Sequence, residues 1–194
     1  ETTVPTLTDL VPAKDRDRDG LTDSEEKVIG SSKDSTDTDN DGYSDAEELF
    51  NLYNPVDEGK LIDNPKFSSY INDIYSFSFI YPNQWALSDN NAKDSIKITN
   101  LADGHFIQII VAENERGLSV KDWYQETFNV EKVGVEQLIK TKTWQGVKTA
   151  DGLYMYIQGP EKKKLFVFQY YPGQANVAEY INLYQAMIAS FVIQ

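Results

Sequence analysis

Two stretches of this 194-residue chain carry acidic side chains at a spacing that can do chemistry. One runs Asp15-Arg-Asp17-Arg-Asp19-Gly20-Leu21-Thr22-Asp23-Ser-Glu25-Glu26, and the other Asp37-Thr-Asp39-Asn-Asp41-Gly42-Tyr43-Ser44-Asp45-Ala-Glu47-Glu48. Counted as twelve positions, each has Asp at 1, 3, 5 and 9, Gly at 6 and Glu at 12, which is the register of a calcium loop. Alternate carboxylates at 1, 3 and 5 aim at one point while the chain curls around it, and the glycine takes the sharp turn. Leu21 and Tyr43, at position 7, need supply only a carbonyl, so their side chains are free to vary. Asp23 and Asp45, at 9, are expected to act through water, and Glu26 and Glu48 to close the shell with two oxygens each. A cation that accepts about seven oxygens suits this set better than Mg2+, so at least two Ca2+ are expected.

Neither chance nor bland acidity accounts for the pattern. With each specified residue type at roughly 6–10 per cent usage, one match has a probability on the order of one in a million or less per start position. A merely solvated acidic face would scatter its carboxylates without regard to the glycines.

The elements that must hold these loops are legible on their downstream sides. A short helix is expected over 23–29, stopping at Gly30, and a longer one over 45–53, with Leu49, Phe50 and Leu52 as its apolar side, ending before Asn54-Pro55. Upstream, residues 1–12 carry Pro5, Pro12 and several Thr, which reads as an extended stalk rather than an entering helix. At position 8, where EF-hands and dockerins usually place a β-branched apolar residue, stand Thr22 and Ser44. Over 15–55 the chain instead resembles the bacterial thrombospondin type 3 repeat family, through the two acidic runs, Gly30, the approach from Asp34 and Asn54-Pro55. That resemblance implies calcium binding in an extracellular protein by a compact unit (13–55) with little core beyond its ions. It also makes Asp34 a subsidiary candidate ligand.

Charge is spread unevenly along the rest. Residues 1–64 hold 18 of the 31 acidic side chains against 6 of the 18 basic ones, so the net charge of −13 belongs almost wholly to the loop half. Such a surface argues against nucleic acid and anionic membranes, because it offers nothing to neutralise phosphates. There is no cysteine, hence no disulfide framework, thiol nucleophile or thiolate metal site. No apolar run is long enough to cross a membrane. The chain starts at Glu1 without Met, and the expectation is a secreted or lipoprotein-type cell-surface protein whose leader has been removed.

Residues 56–69, with Gly59, Asn64 and Pro65 among charges, read as a linker. Beyond it strands are expected: Tyr75, Phe77, Phe79 and Tyr81 alternate before Pro82, Ile96 and Ile98 alternate likewise, and 106–112 is almost continuously apolar. Asp103-Gly104 marks a hairpin turn. Ser119 caps a helix to about 129 containing Trp123; strands follow over 136–143, 146–149, 152–158 and 165–171, and a helix over 178–191. This is an α+β architecture. Tyr75 to Trp85, the Trp123 helix, the Gly146 region and the closing Ala186 to Phe191 look like PsbP-like domains. That resemblance (70–194) implies an α-β-α sandwich around an antiparallel sheet, with a non-catalytic binding role and no transferable site residue.

Catalysis is not expected. His105, the single histidine, sits beside a turn with no triad pattern around it, and reads as structural. The aromatic stripe 75–81 reads as core, Tyr170 and Tyr171 as packing, and Lys162, Lys163 and Lys164 as a solvated hairpin tip. The expected function is an extracellular calcium-binding protein whose repeat presents or spaces a domain that binds a protein or cell-surface partner. A dockerin-like docking module and, further off, a surface hydrolase are the alternatives.

Overall fold

The computed structural model describes residues 10–174 and 176–194. Most of the expected stalk therefore lies outside the described residues; of its end, Leu10 packs against the core and Val11 forms a parallel bridge with Val177.

The two acidic loops each feed a short helix, α1 (Asp23–Ile29) and α2 (Asp45–Phe50). After a 3-10 turn at Leu61–Asp63 the chain becomes mainly β: β1 (Phe67–Asn72), β2 (Phe77–Pro82), β3 (Ala86–Asp89), β4 (Ser95–Thr99) and β5 (Phe106–Glu113). Helix α3 (Val120–Phe128) follows, then β6 (Leu138–Lys140), β7 (Gln145–Lys148), β8 (Tyr154–Gln158), β9 (Lys164–Tyr171), α4 (Ile181–Ala189) and β10 (Val192–Ile193). Seven strands form one sheet in the order β3-β4-β5-β9-β8-β7-β6, and β1-β2-β10 form a second; all pairings within them are antiparallel. Helix α3 packs on β7 and β8, with Val120, Tyr124, Val147, Tyr156 and Leu165 between them. Helix α4 and the small sheet pack in the main core, where Phe77 and Phe79 meet Phe166, Phe168 and Phe191. The α+β class with antiparallel sheets is as expected.

Several boundaries moved. Strand β1 begins within the stretch that reads as linker, because an edge strand of sequence Phe-Ser-Ser-Tyr-Ile-Asn has no clean alternation to announce it. Tyr75 and Ser76 belong to the β1–β2 turn, with Ser76 at φ 51°, so the aromatic strand starts at Phe77. The strand expected over 136–143 shrinks to β6 after a 3-10 turn at Val135–Gln137. Helix α2 stops at Phe50, since Leu52 turns left-handed at φ 61° and Tyr53 bridges Lys60.

The loop half is not separated from the sandwich. Leu21, Ile29, Leu49 and Leu61 lie in the same continuous cluster as Phe67, Phe77 and Leu183. Leu21, Ile29 and Leu49 are fully buried, and such burial stabilises by roughly 1.5–3 kcal/mol per side chain. The far end of α1 is tied down as well. Asn64 donates to the Ile29 carbonyl (3.1 Å) and to Asn54 Oδ1 (2.9 Å), and Gln84 donates to the Val28 carbonyl (2.6 Å). The repeat unit thus shares the sandwich's core, which the resemblance alone did not imply.

Candidate metal centre

Both loops close by the same hydrogen bonds. At position 1, Asp15 accepts from the Arg18 and Gly20 N–H groups (2.7 and 3.2 Å), and Asp37 from those of Asn40 and Gly42 (2.7 and 3.0 Å). At position 3, Asp17 and Asp39 accept from the residue two ahead (3.3 and 3.2 Å); at position 5, Asp19 and Asp41 accept from Leu21 and Tyr43 (2.7 and 2.9 Å). Positions 4 and 6 are left-handed in each, at φ 67° and 109° for Arg18 and Gly20, and 63° and 99° for Asn40 and Gly42. The glycine requirement is visible in the sequence; the strain at Arg18 is not.

Asp15, Asp17 and Asp19 each turn a carboxylate oxygen to a common space, all within 4.8 Å of one another, and Asp37, Asp39 and Asp41 do the same. The residues at position 12 complete the picture. Among the described residues, Glu26 is fully buried with both carboxylate oxygens unpartnered, and Glu48, almost as buried, leaves Oε2 unpartnered; Asp17 Oδ2 is also a buried orphan. Burial and the charges of Asp17, Asp19, Asp23 and Asp45 push Glu26 up to about 8, and burial with Asp39, Asp41, Asp45 and Asp37 pushes Glu48 up to about 7. Burial likewise raises Asp19 to about 6. Buried carboxylates with no donor are costly unless a cation satisfies them, and a set of hard oxygens fits Ca2+.

The position 9 residues are placed differently from the triads. Asp23 accepts from the Arg16 N–H (2.9 Å) and from Lys14 Nζ (2.6 Å), and Asp45 accepts from the Thr38 N–H and hydroxyl (2.8 and 2.7 Å). Both turn one oxygen back to the N–H of position 2; the other is held by Lys14, just before the loop, for Asp23 and by the position 2 hydroxyl for Asp45. Asp34 pairs with Arg16 (2.6 Å) on the surface. At position 7, Leu21 is buried and Tyr43 is 64% exposed.

Two sets of residues escaped sequence reading. Thr22 and Ser44 are helix N-caps, in reciprocal capping boxes with Glu25 and Glu47; the Thr-x-x-Glu and Ser-x-x-Glu spacing carried that signal. Glu25 does more, and nothing local announces it. Fully buried, it accepts through Oε1 from the N–H groups of Asn182 (2.7 Å) and Leu183 (3.0 Å), and through Oε2 from Asn182 Nδ2 (2.8 Å) and the Thr22 N–H (3.1 Å). Burial pushes it up to about 7 against these hydrogen bonds.

His105 is buried between Tyr170 and Tyr180, with Nδ1 2.9 Å from Asp103 Oδ1 and Nε2 3.3 Å from the Val177 carbonyl. Its contacts join the β4–β5 turn to the segment before α4. Tyr170 is core, Tyr171 stacks on Phe106 (4.7 Å), and Lys164 pairs with Glu113.

The family model of the bacterial TSP3 repeat matches residues 15–31 and 37–51. The loops are thus repeats of a calcium-binding type, each with an acidic triad that can hold a metal ion. Among solved structures, the chain is similar to the solution structure of cyanobacterial PsbP (CyanoP) from Synechocystis sp. PCC 6803, at 14% identity over 72% of this chain and 99% of that one, with a TM-score of 0.42. It is also similar to a crystal structure from Bacteroides thetaiotaomicron VPI-5482, at 16% identity over 66% of this chain and 49% of that one, again with a TM-score of 0.42. No curated protein matches the chain.

Proposed function

We propose that the two TSP3 repeats bind at least two Ca2+ in an extracellular or cell-surface protein, and that they brace a non-catalytic domain that binds a protein or surface partner. The observation that carries the calcium reading is the set of orphaned, buried oxygens on Asp17, Glu26 and Glu48 beside the two Asp triads. Asp15, Asp17, Asp19 and Glu26 would hold one ion, and Asp37, Asp39, Asp41 and Glu48 the other, with Leu21 and Tyr43 as carbonyl donors. Calcium, when bound, supplies the positive charge that lets these carboxylates ionise together. The chain's own contribution is the closed loop: the position 1, 3 and 5 carboxylates are oriented by backbone N–H groups, and the position 9 carboxylates hold the loop's start. Sites of this kind fill where calcium is abundant, which supports placement outside the cell.

For the sandwich, a mainly apolar groove of about 470 Å3 between α4 and the β6–β8 end of the sheet, walled by Trp144, Tyr154, Met155, Tyr184 and Ile188, has the character of a ligand surface. One observation favours the docking-module alternative. A cavity of about 550 Å3 at the second loop includes Asp41 and Glu48 of the proposed ion site and continues past Tyr43, Tyr53, Glu47 and Glu58, with both tyrosines more than half exposed. Calcium-dependent capture of a protein partner, lost on substitution at Tyr43 or Tyr53 and kept on substitution at Trp144, would select the docking reading.

Titration calorimetry of the full chain, stripped with chelator, tests the calcium reading. Uptake of two or more ions is expected; no uptake at millimolar Ca2+ would overturn it.

A further inference from the structure

Helix α4 has no capping side chain of its own. Its N-cap position is Tyr180, which makes no side-chain cap hydrogen bond, so the first amides of the helix need an acceptor from elsewhere. Glu25 provides it, from 157 residues earlier, by accepting from the Asn182 and Leu183 N–H groups. A buried carboxylate at a helix N-terminus is also favoured by the helix dipole. Further contacts make the junction a plate rather than a point. Thr22 Oγ1 donates to the Glu179 carbonyl (2.7 Å), and Asn182 Nδ2 donates to the carbonyl of Gly20, position 6 of the first loop (2.9 Å).

Glu25 and Glu26 are neighbours on the first turns of α1 and face opposite duties. Glu26 turns its unpartnered oxygens to the Asp17 and Asp19 side, while Glu25 reaches α4. Without a cation, those carboxylates that ionise repel one another, and a shift of the start of α1 that separates them withdraws Glu25 from α4. Helix α4 in turn supplies Ile181, Tyr184 and Ile188 to the groove described above.

Resting on the calcium reading, we propose that the first loop is a calcium-operated clamp: cation occupancy fixes Glu25 on the N-terminus of α4 and thereby sets the groove between α4 and the sheet. Among the described residues the second loop makes no equivalent connection through Glu47, whose exposed side chain bonds its own cap, Ser44. Linkage is reciprocal, so if calcium favours the Glu25–α4 contact, the contact favours calcium by the same factor, and a change on the sandwich side that weakens the contact must weaken calcium binding.

The test uses the full chain in two measurements. Amide hydrogen exchange of residues 182–189 is followed in Ca2+ and in chelator, for the parent, Glu25→Gln, Glu25→Ala and Glu47→Ala; calcium titration is run on the parent and on Asn182→Ala. The parent should show α4 amides exchanging at least roughly fivefold faster in chelator, a difference that Glu25→Ala abolishes and Glu47→Ala keeps. Glu25→Gln, which retains the acceptor oxygen, guards against a simple folding failure and should keep part of the difference. Asn182→Ala should weaken one of the two sites by roughly fivefold or more and spare the other. Calcium uptake with no change in α4 exchange, or Asn182→Ala with both affinities intact, overturns the clamp while leaving the calcium reading standing. Absence of uptake in the parent overturns both.

Discussion

The two loops have the same register and the same internal hydrogen bonds, yet they face opposite worlds. Position 7 is fully buried Leu21 in the first and 64% exposed Tyr43 in the second; position 11 is fully buried Glu25 in the first and solvent-facing Glu47 in the second. Positions 1, 3, 5, 6 and 12 therefore decide what the loop can hold, and the positions that the ion leaves free decide where the loop sits. A repeat whose helix packs in the core, as both do here, can turn its free loop positions inward or out to solvent without altering a single ligand.

The largest effect that would break this comparison comes from position 7. Leu21→Ala should cost about 2–5 kcal/mol of stability, as for other buried leucines, whereas Tyr43→Ala should stay within about 0.5 kcal/mol. Urea unfolding of both variants in saturating Ca2+ measures the difference, and equal costs would mean that the first loop is not part of the core. Next come the closing ligands. Glu26→Gln and Glu48→Gln should each weaken one calcium site by roughly a hundredfold, since even outer partners of a metal ligand cost ten- to a hundredfold. Glu47→Gln should change calcium affinity little, and calorimetry showing Glu47→Gln as the worse change would shift the register by one position.

The smallest effect is a pH dependence of the metal-free chain. Asp19, Glu25, Glu26 and Glu48 all lie above the usual carboxylate range, at about 6, 7, 8 and 7. Groups raised in this way contribute stability that is fully present below the ordinary range and is lost as pH rises through the raised values. In chelator the melting temperature should accordingly fall between pH 5 and 8, with the first loop, which holds three of the four groups, opening before the second. Saturating Ca2+ should reverse the slope, because the ion binds the ionised form. A rising melting temperature in chelator over that window would contradict burial as the dominant influence on these groups.

What the sequence made legible was local. The acidic register could be read because its side chains recur at fixed offsets, and the Asp103-Gly104 hairpin and the Ser119 cap because turn and cap chemistry act within a few residues. Thr22 and Ser44 carried a local signal too, but it pointed to helix starts and not to pairing between loops. Distance along the chain hid the rest. Nothing near Glu25 says that its partner is the amide of Leu183, and nothing near Tyr180 says that its helix borrows a cap. Strand β1 was hidden for another reason: at the edge of a small sheet, serines fit as well as valines, so hydrophobic period does not mark it. The linker reading of 56–69 follows a real change in composition, yet Leu61 and Asn64 within it lie buried.

The bridge between Val11 and Val177 has a mechanical meaning. Val11 donates to the Asn176 carbonyl (2.7 Å) and accepts from the Ala178 N–H (3.0 Å), while Leu10 packs on the core just before it. Tension arriving at Leu10 from the N-terminal side meets these two bonds ahead of Asp15 and loads them together. The pull is spent first on shearing Val11 from the segment that leads into α4, and the calcium loops feel it only after that fuse has parted.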